Sequence, residues 1–271
     1  MTYRLLVLDV DGTLLDSSHH LRDRVAQAVR AAPSAGLMVA LATGKLFASV
    51  RPLLERLAIH GPQIVLNGAA TQDSETQRPL RFCPLREEHR RAVIAAVREA
   101  DPTVLISHFA LDGIYMDEKH PDIGIFATYG EGPPRFVPDL LADRLPPAAK
   151  ILLAGKPDRL AALRARITPL LAPYVSITTT TPDFLEFFDP AAGKGQALAA
   201  LRELLGIPRV AVIAIGDGEN DLPLLAEAGL AIAMANGAAA TRQAADRIAP
   251  SNDEDGVAVV LEELLDRSSL R

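Results

Sequence analysis

Asp9 and Asp11 stand two residues apart in Asp9-Val10-Asp11-Gly12-Thr13, directly after the apolar run Leu5-Leu6-Val7-Leu8. Alternate side chains of an extended segment point the same way, so both carboxylates can face one site. Gly12 lets the backbone turn sharply beyond them. Two carboxylates about 4 Å apart repel by roughly 4 kcal/mol at an effective dielectric constant of about 20. Such a pair calls for a proton, a cation or open water. A second acidic cluster, Ile215-Gly216-Asp217-Gly218-Glu219-Asn220-Asp221, follows another apolar run. Its carboxylate oxygens, with no histidine or cysteine beside them, suit a hard cation, above all Mg²⁺. Taken alone, Asp221 serves equally well as a cap on a helix over Leu222–Ala228.

Lys194 lies in Ala192-Gly193-Lys194-Gly195-Gln196, where a helix over Gln196–Leu205 begins. An exposed cation at a helix N-terminus opposes the macrodipole by ~0.3–1 kcal/mol. That placement makes sense when an anion shares the site; a lone surface lysine would simply snorkel into water. Thr43-Gly44-Lys45 resembles the end of a phosphate loop, but Val39 stands where that loop needs glycine and Leu46 where it needs serine or threonine. Gly216-Asp217-Gly218 lacks the third glycine of a dinucleotide fingerprint. Neither nucleotide motif holds.

The elements that must position these residues are short apolar runs alternating with helix-period segments. Leu5–Leu8, Met38–Leu41, Ile64–Leu66, Val210–Ile213 and Leu230–Ala233 read as buried strands. His20–Ala32 and Leu46–Ile59 carry apolar residues every three or four positions. Alternation of this kind predicts an α/β fold, a Rossmann-like parallel sheet covered on both faces. Each strand ends near a polar residue: Asp9, Thr43, Asn67, Asp217 and Asn236. Singly these are ordinary caps and turn formers. Together they fall where ligands bind, at the carboxyl ends of the strands.

The middle of the chain follows another pattern. Strands are predicted at Leu80–Cys83, Val104–Phe109, Gly113–Asp117, Lys150–Ala154, Val175–Thr180 and Phe184–Phe188, with helices over Glu87–Glu99 and Arg159–Leu171. This is an α+β module inserted into the α/β domain, whose pattern resumes after Lys194. His108, Tyr115, Phe184 and Phe187 could line a site there, but aromatics in strands are usually packing.

The 271 residues suffice for one large core or two modest domains. A net charge of −6 offers no basic field for nucleic acid. Cys83 is the single cysteine, which excludes a disulfide scaffold and fits a reducing compartment. No apolar stretch approaches the ~20 residues of a membrane span, and the N-terminus lacks the shape of a signal peptide. The expectation is a cytoplasmic protein without nucleic-acid or membrane partners. Its oligomeric state, monomer or weak dimer, is not legible.

The ordered set Asp9-Val10-Asp11-Gly12-Thr13, Thr43-Gly44, Lys194 and Gly216-Asp217-Gly218-Glu219-Asn220-Asp221 resembles the four motifs of the haloacid dehalogenase superfamily. The long insertion between the second and third motifs, with Asn67-Gly68-Ala69 and Ala233-Met234-Ala235-Asn236, resembles the type II cap of its Cof-like, subclass IIB phosphatases. The resemblance implies a hydrolase core over residues 1–80 and 190–271 and an inserted cap over 81–189. It implies that Asp9 attacks phosphorus, and that Asp11 protonates the leaving oxygen and then activates water. Thr43, Gly44 and Lys194 would hold the phosphoryl group, with Asn67 and Asn220 also against the substrate. Mg²⁺ would sit on the Asp9 and Asp217 carboxylates and the Asp11 backbone carbonyl, with Asn220 and Asp221 acting through water on the metal or by orienting Lys194. The implied partner is a small phosphorylated metabolite: a sugar phosphate, nucleotide or phosphorylated cofactor. Two positions depart from the pattern: Lys45 replaces a common arginine, and Gly193 a common polar residue. A phosphomutase or phosphotransferase would use the same aspartyl-phosphate, and a silent phosphate-binding module the same fold. The intact set Asp9, Asp11, Thr43, Lys194 and Asp217 counts against the silent module, since binding alone has no use for the second carboxylate.

Overall fold

The computed structural model describes residues 3–141 and 144–269. Strands β1 (Leu5–Leu8) and β2 (Met38–Leu41) are followed by a meander of β3 (Pro62–Val65), β4 (Ala70–Asp73) and β5 (Pro79–Phe82). Next come β6 (Leu105–Ala110), β7 (Gly113–Met116), β8 (Arg135–Phe136), β9 (Lys150–Ala154), β10 (Ser176–Thr181) and β11 (Phe184–Phe188). The chain then returns to the first sheet with β12 (Val212–Gly216), β13 (Leu230–Met234) and β14 (Arg247–Ala249). Helices α1 (Asp23–Ala31) and α2 (Phe47–Leu57) precede the middle segment, which holds α3 (Glu87–Ala100), α4 (Ile125–Thr128) and α5 (Pro157–Leu171). Helices α6 (Lys194–Leu205), α7 (Leu222–Ala226), α8 (Ala239–Ala244) and α9 (Gly256–Ser269) complete the fold.

The core sheet is parallel throughout, in the order β14-β13-β12-β1-β2. Its strands are apolar on both faces because helices cover both. Leu6 and Leu8 pack with Val25, Val29, Val257 and Leu261 of α1 and α9. Leu5 and Val7 face the other way, onto Ala197, Leu198 and Leu201 of α6 and Leu224 of α7. The period of two in β1 thus feeds two separate apolar layers.

The second sheet has six strands in the order β10-β11-β9-β6-β7-β8 and is mostly antiparallel. One face, with Ile151, Leu153, Leu185 and Phe187, packs on Val93, Val97, Leu160 and Leu163 of α3 and α5. The opposite face, with Phe109, Leu152 and Phe184, joins the apolar cluster of the core. The inserted α+β unit is therefore a cap lying over the core.

Two predicted strands run differently from expectation. The Ile64–Leu66 segment was expected in the parallel sheet. It pairs antiparallel with β4 and adjoins the β2 edge through the parallel bridge Ala42–Ile64 and the Gln63 side chain, which accepts the Leu41 N–H (2.8 Å). Leu66, Asn67 and Gly68 all have positive φ (53°, 55° and 85°), which reverses the chain at once. The strand expected at Leu80–Cys83 forms as β5 but pairs with β4, outside the six-stranded sheet. Among the described residues no helix is long and apolar enough to cross a membrane.

Candidate active site

Asp9, Thr43 and Asp217 follow the ends of three adjacent strands, β1, β2 and β12, with β1 in the middle. The ladder continues to the site, since the Asp9 N–H donates to the Ile215 carbonyl (2.9 Å) and that of Ala42 to the Leu8 carbonyl (2.8 Å). Gly12 then turns the chain with φ 78°; a Cβ there would stand 2.4 Å from Asp217 Oδ2. The Asn236 amide donates to the Gly12 carbonyl (2.8 Å) and so holds the same turn. Thr13 donates its hydroxyl to Asp217 Oδ1 (3.0 Å).

Lys194 begins α6 and reaches both acidic clusters. Its Nζ lies 2.5 Å from Asp9 Oδ1 and 2.6 Å from Asp221 Oδ1, and all three residues are buried. Asp221 Oδ2 accepts the backbone N–H groups of Asp217 and Gly218, each at 2.9 Å. Asp221 thus shapes the loop that presents Asp217 and anchors the lysine, rather than capping α7. Gly68 (φ 85°) fits tightly against this turn, since a Cβ would meet the Gly193 carbonyl at 2.2 Å.

Burial, together with the Asp221 carboxylate, pushes Asp9 well above the ordinary carboxylate range despite Lys194. Burial and Asp221 likewise push Asp217 up to about 6. Burial opposes the Lys194 charge, but Asp221 and Asp9 outweigh it and hold the ammonium above its usual pKa. One oxygen from each of Asp9, Asp217 and Asp221 lies within 4.8 Å of the others. Three close carboxylates facing one ammonium carry excess negative charge in a poorly solvated place. An all-oxygen donor set of this kind fits a hard divalent cation. The Asp11 carboxylate is outside this cluster and pairs instead with Lys45, Nζ to Oδ1 at 3.1 Å.

Thr43 is buried, and its hydroxyl accepts the Lys45 N–H (3.2 Å). Asn67 and Asn220 meet each other, Nδ2 of Asn220 donating to Oδ1 of Asn67 (3.0 Å). Asp9, Asp11, Gly44, Asp217 and Asn220 line one cavity with cap residues, whereas Thr43, Asn67 and Lys194 lie behind its wall. The cavity measures about 50 Å³. Small-ligand pockets typically measure ~300–1,000 Å³, so this cavity is smaller than such a ligand needs.

The cap side holds polar residues that sequence reasoning missed. Lys150 donates to the Gly44 carbonyl (2.7 Å) and to Glu186 Oε2 (2.9 Å), and both side chains are buried. Glu186 also accepts from Asn67 and from the Thr180 hydroxyl (2.9 Å). Glu131, whose pKa is raised by burial, accepts the Leu46 N–H (3.1 Å) and the Ser49 hydroxyl (2.5 Å). Phe109, Phe126, Tyr129 and Phe184 supply the apolar wall. Of the four aromatic candidates only Phe184 lines the cavity; Tyr115 and Phe187 pack on the helix side of the cap sheet. His108 Nε2 donates to the Pro146 carbonyl (2.9 Å), away from the site. A readable signal did exist: Lys150 and Glu186 are charges inside otherwise apolar strands.

A parallel-sheet core with carboxylates and a lysine at its strand ends, under an α+β cap, defines a capped α/β protein with an acidic, lysine-bearing site at the sheet edge. The sequence profile of the haloacid dehalogenase-like hydrolases matches residues 6–261. The HMP-PP phosphatase of Cronobacter sakazakii is 30% identical over 237 residues, covering 86% of this chain and 84% of that protein. A haloacid dehalogenase-like hydrolase from Bacteroides thetaiotaomicron superposes with a TM-score of 0.84 at 28% identity, covering 97% of this chain and 100% of the other. A subclass IIB sugar phosphatase has the same fold, with a TM-score of 0.82 at 20% identity, covering 96% and 98%. The chain belongs to the haloacid dehalogenase-like hydrolase family and is a phosphoric monoester hydrolase.

Proposed function

We propose that this chain hydrolyses a small phosphorylated metabolite through an aspartyl-phosphate on Asp9, with Mg²⁺ as its metal. The observation that carries this reading is the buried Lys194 ammonium, 2.5 Å from Asp9 and 2.6 Å from Asp221. This ammonium opposes the rise in pKa that burial and Asp221 impose on Asp9 and orients that carboxylate at the strand end, as a carboxylate nucleophile requires. In this reading residues 1–80 and 190–271 are the hydrolase core and residues 81–189 the cap.

An Asp9 oxygen attacks phosphorus as the bond from phosphorus to the ester oxygen breaks, and Asp11 gives that leaving oxygen its proton. A water then attacks the phosphorus of the aspartyl-phosphate, Asp11 takes its proton, and inorganic phosphate leaves with Asp9 restored. Thr43, the Gly44 backbone and Lys194 hold the transferring oxygens. Asn67 and Asn220 keep the loops beside them in register. The Asp9 and Asp217 carboxylates and the Asp11 backbone carbonyl would hold Mg²⁺, with Asp221 behind them. When bound, the ion offsets the repulsion between Asp9 and an anionic phosphoryl group. Positioning and charge neutralisation supply most of the acceleration in phosphoryl transfer.

The substrate class is a sugar phosphate, nucleotide or phosphorylated cofactor, in line with the named activities of the relatives. A cavity walled by Phe109, Phe126, Tyr129 and Phe184 on one side and Lys150 and Glu186 on another suits a leaving group with apolar and hydroxyl-bearing faces. The lone cysteine agrees with a cytoplasmic setting. The test is release of phosphate from a generic aryl phosphate with Mg²⁺, with and without chelator, alongside Asp9→Asn. Metal-dependent release that disappears in the variant is expected. Equal release by the variant removes Asp9 as nucleophile, and phosphate appearing on an added alcohol indicates transfer.

A further inference from the structure

We infer that Lys45 is a positioning residue that fixes the Asp11 carboxylate for proton transfer when the cap is closed. The inference rests on the role proposed above for Asp11. Lys45 Nζ lies 3.1 Å from Asp11 Oδ1, and its side chain is only 8% exposed against 22% for Asp11. The same ammonium donates to the backbone carbonyl of Tyr129, which belongs to the cap. One cation therefore joins the acid of the core to the main chain of the lid.

The lysine is fixed at its backbone as well. Its N–H donates to the Thr43 hydroxyl (3.2 Å) and its carbonyl accepts the Leu66 N–H (3.0 Å). On the cap side, Glu131 grips the Leu46 N–H and the Ser49 hydroxyl, so the segment holding the Tyr129 carbonyl is clamped beside Lys45. The other basic group near Asp11 is His19, whose Nδ1 is 3.6 Å from the same oxygen and whose side chain is 35% exposed. His19 is farther and wetter, so Lys45 sets the orientation. A positioned proton donor contributes only within hydrogen-bond reach of the leaving oxygen. A carboxylate held by an ammonium that is itself held by the lid reaches that position only after closure.

The experiment compares two esters in Lys45→Met, Lys45→Arg and Asp11→Asn. An aryl phosphate whose phenol departs as an anion needs no proton donor; an alkyl phosphate does. Because the later attack of water uses Asp11 whichever ester is bound, release of the alcohol or phenol is read in a single turnover. Lys45→Met is expected to slow it about 100-fold for the alkyl ester, at the lower end of a general acid's contribution, and less than about threefold for the aryl ester. Lys45→Arg restores most of the alkyl activity, since its guanidinium can serve both partners. The single-turnover release of phenol doubles as the control for folding. Equal losses of this first-step rate on both esters, or weaker ester binding at an unchanged first-step rate, would overturn the inference and make Lys45 a scaffold or a substrate ligand. Asp11→Asn separates the two layers. If it fails to discriminate between the esters, the acid role falls and the Lys45 proposal with it; if it discriminates while Lys45→Met does not, Lys45 alone is refuted.

Discussion

Replacing Lys194 by methionine removes the ammonium while keeping a flexible, unbranched side chain. Its Nζ lies 2.5 Å from Asp9 and 2.6 Å from Asp221, with all three groups buried. Deleting one partner of a buried pair costs about 3–5 kcal/mol, because the charge left behind has neither water nor a counter-ion. Two carboxylates are left behind here, so the penalty is relieved only when one of them takes up a proton. Asp9 is placed to do so, since burial and Asp221 already raise its pKa. A carboxyl with a raised folded pKa holds its proton where the unfolded chain has released it. Stability in the variant is therefore greatest at low pH and is lost as pH rises through the folded pKa. At about 2–4 °C per kcal/mol for a chain of this size, Tm should fall by roughly 6–20 °C at pH 8 and by distinctly less at pH 5. Thermal melts followed by circular dichroism in metal-free buffer measure both. A Tm at pH 8 within about 2 °C of the parent, or a loss that ignores pH, would show that the lysine does not bridge the carboxylates and would refute the site geometry.

Three further outcomes are expected. Adding Mg²⁺ to chelator-treated protein should raise Tm, since a ligand held only by the folded state contributes ~2.7 kcal/mol at a hundred times its Kd. Asp217→Asn should shrink that shift, and an unchanged shift would remove Asp217 from the metal site. His108 is fully buried, and burial, with help from the Arg90 charge, pushes its pKa down to about 4 from 6.5. The unfolded chain gains that proton first, so stability present above about pH 6.5 should decline by roughly 3 kcal/mol toward pH 4. Urea titrations of the parent and His108→Asn isolate this slope; a difference between them that stays flat with pH disproves it. Gly68→Ala forces φ 85° on a residue with a Cβ, 2.2 Å from the Gly193 carbonyl. It should cost more than ~1 kcal/mol and lower turnover by displacing Lys194, whereas parent-like stability and rate would show that the turn yields freely.

Much of the core was legible because one rule governs it. Short buried strands that alternate with helices stack in parallel, and whatever follows their carboxyl ends shares a rim. Asp9, Thr43 and Asp217 follow from that rule, and β1, β2, β12 and β13 lie close to where the apolar runs put them. Strand existence was easier to read than strand partnership. The run Ile64–Leu66 has the composition of a parallel strand, yet positive φ at Leu66, Asn67 and Gly68 folds it back into a hairpin. Leucine in that region is rare, so residue type gave no warning. Asp221 was ambiguous for a related reason. Whether its carboxylate caps the following helix or grips the preceding loop depends on backbone N–H groups that no pattern of residue types specifies.

The cap was legible as strands and helices but not as a surface. Alternation in β9 and β11 sends Ile151, Leu153, Leu185 and Phe187 toward the helices and leaves Lys150, Leu152, Phe184 and Glu186 on the other face. Which face meets the core is a tertiary fact, and it decides everything about Lys150 and Glu186. A buried ammonium and carboxylate in apolar strands are costly unless fully partnered. Their partners are the Gly44 carbonyl and the Asn67 amide, both on core loops that flank the catalytic strands. Glu131 does the same at Leu46 and Ser49, and Lys45 joins Tyr129 to Asp11. These contacts end on residues 44–49, directly after Thr43, or on the neighbouring turn at Asn67. Opening the cap would strip partners from that stretch, leaving buried groups to water and the loops less constrained. On the proposed function, closing the cap would thus order the loops at residues 43–45 and at Asn67 in the same step that orients the reacting groups.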